Sequence, residues 1–210
     1  MLQVDWYYDF ISPFAYLASQ RLDELPDHIE LRHKPVLFAG LLNHFEIKGP
    51  AEIERMRQYT FRHVTWLAQE RVIPLCLPPQ HPFNPLVYLR LALALDCDPD
   101  AVDGIFRFIW AQGLSCEDAA GAQQLADELG LTSIEDKVQV PAVKQQLIDN
   151  TQAAARAGVF GVPTFVVNDE LFFGQDSLPF LRAYLDDPAV LQSAQMRAAD
   201  GLPEGVNRLA

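Results

Sequence analysis

The apolar positions of the chain follow a strand–helix–strand pattern at its start. Strand-like runs at 4–8 and 29–33 flank a helical run that opens at Ser12-Pro13 and is expected to continue through Leu25. Ser12 can cap this helix, and Pro13 suits the first helical position, where its missing N–H costs nothing. A strand–helix–strand unit of this length is a right-handed parallel crossover.

The middle of the chain, 38–150, has an almost wholly helical pattern. Apolar residues at three- and four-residue spacing over 51–70 are typical of an amphipathic helix. Closely spaced prolines, from Pro74 to Pro85, exclude regular structure at 73–84. Further helices are predicted at 84–95, 100–111, 117–129 and 143–157.

Two short strands and a helix are predicted for the end of the chain. The strands lie at 165–167 and 171–173, around a hairpin turn at 168–170. The helix starts at 174–177 and ends at Leu185.

The order of these elements predicts an α/β protein with a thioredoxin-like fold and a large α-helical insertion. The thioredoxin-like domain is expected to be discontinuous, at 1–37 and 151–210. The insertion domain is expected to occupy 38–150.

Composition narrows the classes of function. Half of the 210 residues are hydrophobic and the net charge is −12, so we expect a folded protein whose main partner is neither nucleic acid nor an anionic membrane. The first residues lack the charge and apolar pattern of a signal peptide, and no apolar run is long enough to span a membrane. Cys76, Cys97 and Cys116 form no CxxC pair, which favours free thiols in a reducing cytoplasm.

Ser12 occupies the position where chemistry is expected in such a fold. A strand that turns sharply into a helix places the residue at the turn over unpaired backbone N–H groups, which stabilise a thiolate. Here that residue is a serine, and the second half of a CxxC pair would fall on Ala15. Either Ser12 is a plain helix cap, or the chain handles a thiol that a ligand supplies.

Two later segments extend this hypothesis. The Val162-Pro163 bond would be trans on base rates alone, but a proline before the third strand of a thioredoxin-like layout is the cis position that faces the reactive turn. The N–H and C=O of Val162 could then pair with an extended peptide. Asp176 and Ser177 are either a helix cap or a site for the carboxylate and ammonium of a γ-glutamyl group.

The chain resembles the 2-hydroxychromene-2-carboxylate isomerase family and, more broadly, kappa-class glutathione transferases within the DsbA-like thioredoxin superfamily. The resemblance covers nearly the whole chain and is carried by three motifs, YYDFISPFAYLAS, FGVPTFVV and FFGQDSLPFL. It implies that glutathione is the cofactor, that Ser12 is the catalytic residue that hydrogen-bonds its sulfur, and that the protein is a homodimer. It further implies glutathione contacts from Val162, Pro163, Gln175, Asp176 and Ser177, and an aromatic substrate near Phe83 and Asn84. We also assign Phe14 and Tyr16 to the substrate pocket.

One segment departs from the family pattern. Met56 stands on the apolar stripe of the 51–70 helix, where the family tends to carry a lysine. The glycine-end carboxylate of glutathione would then need Lys48, Arg55 or Arg57 instead, or would be held weakly.

These observations predict a glutathione-dependent isomerase that acts on hydroxychromene-type aromatic acids and regenerates its thiol. The alternatives are a kappa-type glutathione transferase or peroxidase, and a non-catalytic module that binds thiols or peptides. The five histidines show no metal-ligand spacing, so no metal is expected. His44 and His63 flank the expected site and are candidates for proton transfer.

Overall fold

The computed structural model describes residues 1–203 and 205, which form one four-stranded sheet and ten α-helices. The sheet order is β2-β1-β3-β4; β1 is parallel to β2 and antiparallel to β3, and β3 is antiparallel to β4. The strands are β1 (Leu2–Tyr8), β2 (Ile29–Pro35), β3 (Thr164–Val167) and β4 (Glu170–Phe173). This arrangement confirms the thioredoxin-like α/β fold.

The helices are α1 (Pro13–Ser19), α2 (Phe38–His44), α3 (Glu54–Glu70), α4 (Leu86–Ala94), α5 (Pro99–Trp110), α6 (Ala119–Glu128), α7 (Glu135–Gln139), α8 (Pro141–Arg156), α9 (Leu178–Asp186) and α10 (Ala194–Asp200). All described elements from α2 to α8 are helical, as the sequence predicts for the insertion. The predicted domain boundary at 150/151 falls inside α8, which packs against β2 as well as α2 and α4.

The central strand β1 is buried on both faces because helices cover both sides of the sheet. Trp6 and Tyr8 point into the main core, where their rings stack with centroids 4.4 Å apart. Tyr7, one residue out of phase, joins a second cluster with Val36 and Val162 on the opposite face. Successive side chains of β1 therefore pack alternately into two hydrophobic clusters, one on each face of the sheet.

The helical insertion is joined to the loop that follows β1. Trp110 of α5 is fully buried, and its indole N–H donates a hydrogen bond of 2.9 Å to the carbonyl of Phe10. Phe106, also on α5, packs against Phe10 with ring centroids 4.5 Å apart. The insertion thus fixes the segment that leads into α1.

Several element bounds differ from the sequence expectation. The first helix ends at Ser19, not Leu25. The backbone has left helical geometry at Arg21, where φ is −139°. A 3₁₀ turn at Leu22–Glu24 follows. The hairpin turn is confirmed, with Asn168 and Asp169 at φ 50° and 67°, which both central residues of a type I′ turn require.

No helix in residues 1–203 is long and apolar enough to cross a membrane.

Candidate active site

Ser12 lies in the turn between β1 and α1. Its N–H donates to the carbonyl of Asp9 at 3.0 Å, and its Oγ accepts a 3.2 Å hydrogen bond from the N–H of Ala15. Ser12 is therefore a helix N-cap, as the sequence predicts. The N–H of Phe14 has no hydrogen-bond acceptor in the described part of the chain and remains as a donor at this turn.

The loop before β3 faces this turn. The Val162-Pro163 bond is cis, as predicted, and the hydroxyl of Ser12 donates to the carbonyl of Val162 at 3.4 Å. Ser12 is 8% exposed and Val162 is 7% exposed, so little water reaches the contact. Among the described residues, nothing accepts a hydrogen bond from the N–H of Val162. The structure thus brings a hydroxyl, a backbone donor and a backbone acceptor together.

Asp9 is fully buried directly beneath the Ser12 turn. Its carboxylate accepts hydrogen bonds from the N–H of Ile11 at 3.1 Å and from the N–H of Phe38 at 2.8 Å. Burial raises the pKa of Asp9 to about 7, although the backbone hydrogen bonds oppose that shift. Asp9 therefore ties the turn to the start of α2.

Gln175 is buried, and two arginines converge on it. Arg21 donates to its backbone carbonyl at 3.2 Å and to its side-chain Oε1 at 3.3 Å. Arg71 donates to the same Oε1. Burial and the nearby Arg21 charge lower the pKa of Arg71, whereas the carboxylates of Glu24 and Asp176 oppose that shift. Two guanidinium groups thus share one neutral acceptor, beside an exposed ion pair from Arg21 to Glu24.

Arg21 and Arg71 are absent from the sequence-based site. Arg21 follows α1 and Arg71 follows α3, and no local spacing connects either of them to Gln175. Their convergence depends on how α1, α3 and the segment before α9 pack. The two predicted neighbours are placed differently: Asp176 is exposed, and the Ser177 hydroxyl donates to the carbonyl of Gly174 at 2.7 Å.

The predicted contacts for the glycine end of glutathione lie on the surface. Lys48 and Arg55 are exposed, and Arg55 donates to the side chain of Gln58. Met56 is 45% exposed rather than on a buried stripe, because the start of α3 projects beyond the core. The positive charge of Arg57 contributes to lowering the pKa of His81, after the larger effect of burial.

His81 connects this surface to the Ser12 turn. Its Nε2 lies 2.9 Å from the carbonyl oxygen of Ile11. Of the three cations considered for the glycine end, Arg57 is therefore the one whose charge reaches a residue in contact with the turn.

The predicted substrate-pocket residues separate into three environments. Phe14 is half-buried beside Ser12, and its ring meets His63 of α3 edge-on with centroids 5.9 Å apart. Tyr16 is a correction: its ring is fully buried and its hydroxyl donates to the carbonyl of Pro74, because this face of α1 packs into the core.

Phe83 and Asn84 also differ from an open pocket wall. Phe83 is buried against Tyr88 and Trp110, with ring centroids 5.7 and 6.3 Å away. Asn84 is exposed, and its Oδ1 accepts a hydrogen bond from the N–H of Leu86 at the start of α4. Of the four predicted residues, Phe14 is the one beside Ser12.

The three cysteines are free, and none belongs to this site. Burial raises the pKa of Cys97 to about 11 and also raises the pKa of Cys116. Cys76 is exposed on the loop after α3. The described turn at Ser12 therefore contains no thiol of the chain's own.

Comparison with known proteins shows the family and the fold of the chain. The family model for the DSBA-like thioredoxin domain matches residues 3–186. The chain is 28% identical over 185 residues to a 2-hydroxychromene-2-carboxylate isomerase of Pseudomonas sp. (strain C18), covering 83% of this chain and 86% of that protein. It is 26% identical over 203 residues to Glutathione S-transferase kappa 1 of Rattus norvegicus, covering 87% and 89%.

A solved structure of 2-hydroxychromene-2-carboxylate isomerase superposes on the chain with a TM-score of 0.77 at 24% identity. The match covers 93% of this chain and 99% of that one. These findings confirm the resemblance and the fold.

Proposed function

Because the chain belongs to the DSBA-like thioredoxin domain family, we propose that it is an enzyme that binds glutathione and isomerises 2-hydroxychromene-2-carboxylate-type aromatic acids. The observation that carries the proposal is the Ser12 hydroxyl, which stands at the reactive turn of the fold and meets the carbonyl of Val162 at 3.4 Å. A serine cannot form a mixed disulfide, so the site suits a thiol that arrives with a ligand.

The names of the relatives support an enzyme of this kind. Relatives of both types, isomerases and kappa glutathione transferases, match most of the chain. The kappa transferases are named for glutathione, which supports glutathione as the thiol. We further propose that the protein is a homodimer that acts in the breakdown of aromatic compounds. We place it in the cytoplasm, because its three cysteines are free thiols.

The cysteinyl part of glutathione fits the Ser12–Val162 corner. The N–H and C=O of Val162 are positioned to pair with the cysteinyl backbone as an added strand pairs with a sheet edge. On binding, the Ser12 hydroxyl would turn from the carbonyl of Val162 to the sulfur, which frees that carbonyl for the cysteinyl N–H. The N–H of Phe14 would donate to the sulfur as well. Hydrogen-bond donors that favour the thiolate lower the pKa of the thiol. A tenfold larger acid dissociation constant corresponds to about 1.4 kcal/mol of stabilisation of the thiolate relative to the thiol.

The γ-glutamyl part fits the cluster around Gln175. Its carboxylate can accept from Arg21 and Arg71, whose guanidinium groups now share one amide oxygen. Its ammonium can pair with the exposed carboxylate of Asp176, whose charge already acts on Arg71. A γ-glutamyl group carries both charges on one carbon, so the two sides of the cluster match one ligand group.

When bound, glutathione would supply a thiolate that adds to and later leaves an electrophilic carbon of the substrate, so that a formerly double bond can rotate. Ser12 stabilises the anionic sulfur before addition and again on departure. Phe14, beside Ser12, offers an aromatic face to the substrate ring. The arginines hold the γ-glutamyl end so that the sulfur remains at the turn.

A kappa-type glutathione transferase is the second candidate, and the match to kappa transferases favours it. The two activities differ in the fate of glutathione. A transferase consumes one glutathione for each conjugate formed, whereas an isomerase returns it free.

The experiment incubates the purified protein with glutathione and 2-hydroxychromene-2-carboxylate, then quantifies isomer, conjugate and free thiol. We expect isomer formation that requires glutathione and leaves its concentration unchanged. Conjugate formed in proportion to turnover would identify the transferase. Isomerisation at the same rate without glutathione, or no reaction of either type, would contradict the proposal.

A further inference from the structure

A cavity with a volume of about 520 Å³ lies between α2, α4 and α8, apart from the Ser12 site. Leu37, Leu86 and Leu147 contribute an apolar wall from the three helical segments that meet there. It shares no lining residue with the Ser12, Val162 and Gln175 site. A volume of this size is in the range of small-molecule sites.

The cavity is cationic in a protein that is strongly anionic. Arg90, Lys144 and Arg156 line it, and none of the described lining residues is acidic. The whole chain has 28 acidic and 16 basic residues. In residues 1–203 the ion pairs are Arg21–Glu24 and Arg32–Asp5, so none of the three cavity cations is neutralised by a carboxylate.

The donors with capacity left for a ligand are the charged ones. Lys144 donates one of its three N–H groups to the side chain of Gln139 at 2.6 Å and keeps the other two. Arg90 is half-buried on α4, and its guanidinium makes no hydrogen bond among the described residues. Its Nε is shielded, so a ligand would meet its terminal N–H groups. The hydroxyl of Thr151 is already committed, because it accepts from the N–H of Leu37 and donates to the carbonyl of Leu147.

We propose that this cavity is a binding site for a small carboxylic acid with an apolar body. The body would lie on the leucine wall of the cavity, and the carboxylate would accept hydrogen bonds from Arg90 and Lys144. Arginine donates to a carboxylate through two parallel N–H groups, so the guanidinium of Arg90 is the main determinant. The site needs no thiol and is separate from the proposed isomerisation.

The test is calorimetric titration of the full chain with 2-naphthoate. Naphthalene-2-carboxamide is the matched neutral probe, because it keeps the apolar body and removes the charge. We expect 2-naphthoate to bind at least tenfold more tightly than the carboxamide, about the loss that accompanies removal of a charged hydrogen bond. Equal affinities, or no binding of 2-naphthoate, would overturn the proposal.

Variants locate the binding. Arg90→Gln should weaken 2-naphthoate about tenfold, and Lys144→Gln provides a second variant on a different helix should Arg90→Gln unfold. Arg62→Gln, an exposed arginine of α3 outside the cavity, should leave the affinity unchanged. An unchanged affinity in both cavity variants would overturn the proposal.

Saturating glutathione tests whether the probe occupies the thiol site at Ser12, and the Arg90 and Lys144 variants exclude a position beside bound glutathione. We expect 2-naphthoate to bind with the same affinity whether or not glutathione is present. Displacement of 2-naphthoate by glutathione would place the probe at the Ser12 turn and overturn the cavity site. This titration is independent of isomerase activity, so the proposed function can fail while the cavity site stands.

Discussion

The hydroxyl oxygen of Ser12 lies 3.4 Å from the carbonyl oxygen of Val162, although 150 positions separate the two residues in the chain. The contact follows from the sheet, because β1 and β3 are antiparallel neighbours and Tyr7 pairs with Thr164. The end of β1 and the start of β3 therefore lie side by side at the same end of the sheet. The residues just beyond these strand ends are brought together whatever the length of the insertion.

Replacing Arg71 with Gln should weaken glutathione binding about tenfold, because a charged hydrogen bond to the γ-glutamyl carboxylate is lost. Calorimetry of the variant with glutathione measures the change. Cysteinylglycine, which lacks the γ-glutamyl group, should bind the variant and the wild type equally well.

Arg62→Gln is the matched control for Arg71→Gln. Arg62 lies on α3, Arg71 directly follows α3, and Arg62 is exposed and makes no contact with Gln175. It should bind both thiols like the wild type. If Arg71→Gln weakened the two thiols equally, Arg71 would not recognise the γ-glutamyl group.

Met56→Lys should tighten glutathione binding, because it adds a cation near the expected position of the glycine carboxylate. The exposed fraction of Met56, 45%, leaves room for a lysine without loss of core packing. The dissociation constant is compared with that of Met56→Leu, which keeps the site neutral. γ-Glutamylcysteine, which lacks glycine, should gain nothing from Met56→Lys; an equal gain would show that the new charge acts elsewhere.

Asp9 should make the folded state less stable as the pH rises. Burial raises the pKa of Asp9 from 3.8 to about 7, so in that interval the folded protein binds more protons than the unfolded chain. The free energy of unfolding should therefore fall between about pH 4 and 7, by up to about 1.4 kcal/mol for each unit of pH, and this effect should be complete above pH 7.

Urea unfolding of the wild type and Asp9→Asn at several pH values measures this effect. The difference between the two proteins isolates Asp9 from His33, whose pKa burial lowers to about 4 and whose effect has the opposite sign. A constant difference between wild type and Asp9→Asn from about pH 4 to 7 would contradict the raised pKa.

The fold could be predicted from local signals. The Ser12 cap, the type I′ turn at Asn168 and Asp169 and the left-handed Gly158 after α8 all depend on residues that are adjacent in sequence. The short helix α2 has no side-chain cap to mark its start, and it is absent from the predicted elements. The first helix ends before Arg21, whose side chain contacts Gln175 in a distant segment of the chain.

The site could be predicted only where the fold itself places it. Ser12 and Val162 lie just beyond strand ends that the sequence pattern predicts, whereas Gln175 is implied as a site residue only by the resemblance to the isomerase family. Tyr16 is in the core and not in a pocket, because α1 turns that face towards Pro74. The convergence of Arg21 and Arg71 on Gln175 depends on the packing of α1 against α3. The local sequence of either helix does not reveal that packing.

Ser12→Ala removes the proposed sulfur contact but also removes a helix cap, which costs roughly 1 kcal/mol of stability. Ser193→Ala is the matched control, because Ser193 caps α10 in the same way with a 3.2 Å hydrogen bond from the N–H of Met196. Loss of stability alone would appear in both variants. An effect on the bound thiol should appear only in Ser12→Ala.

The most direct measurement is a pH titration of the ultraviolet thiolate absorbance of glutathione bound to the wild type, Ser12→Ala and Ser193→Ala. We predict that the wild type and Ser193→Ala lower the thiol pKa below the value of about 8.5 for a free cysteine, and that Ser12→Ala raises it again. A wild-type thiol pKa that is not lowered below that of a free cysteine, or one that is the same in Ser12→Ala, would contradict the account.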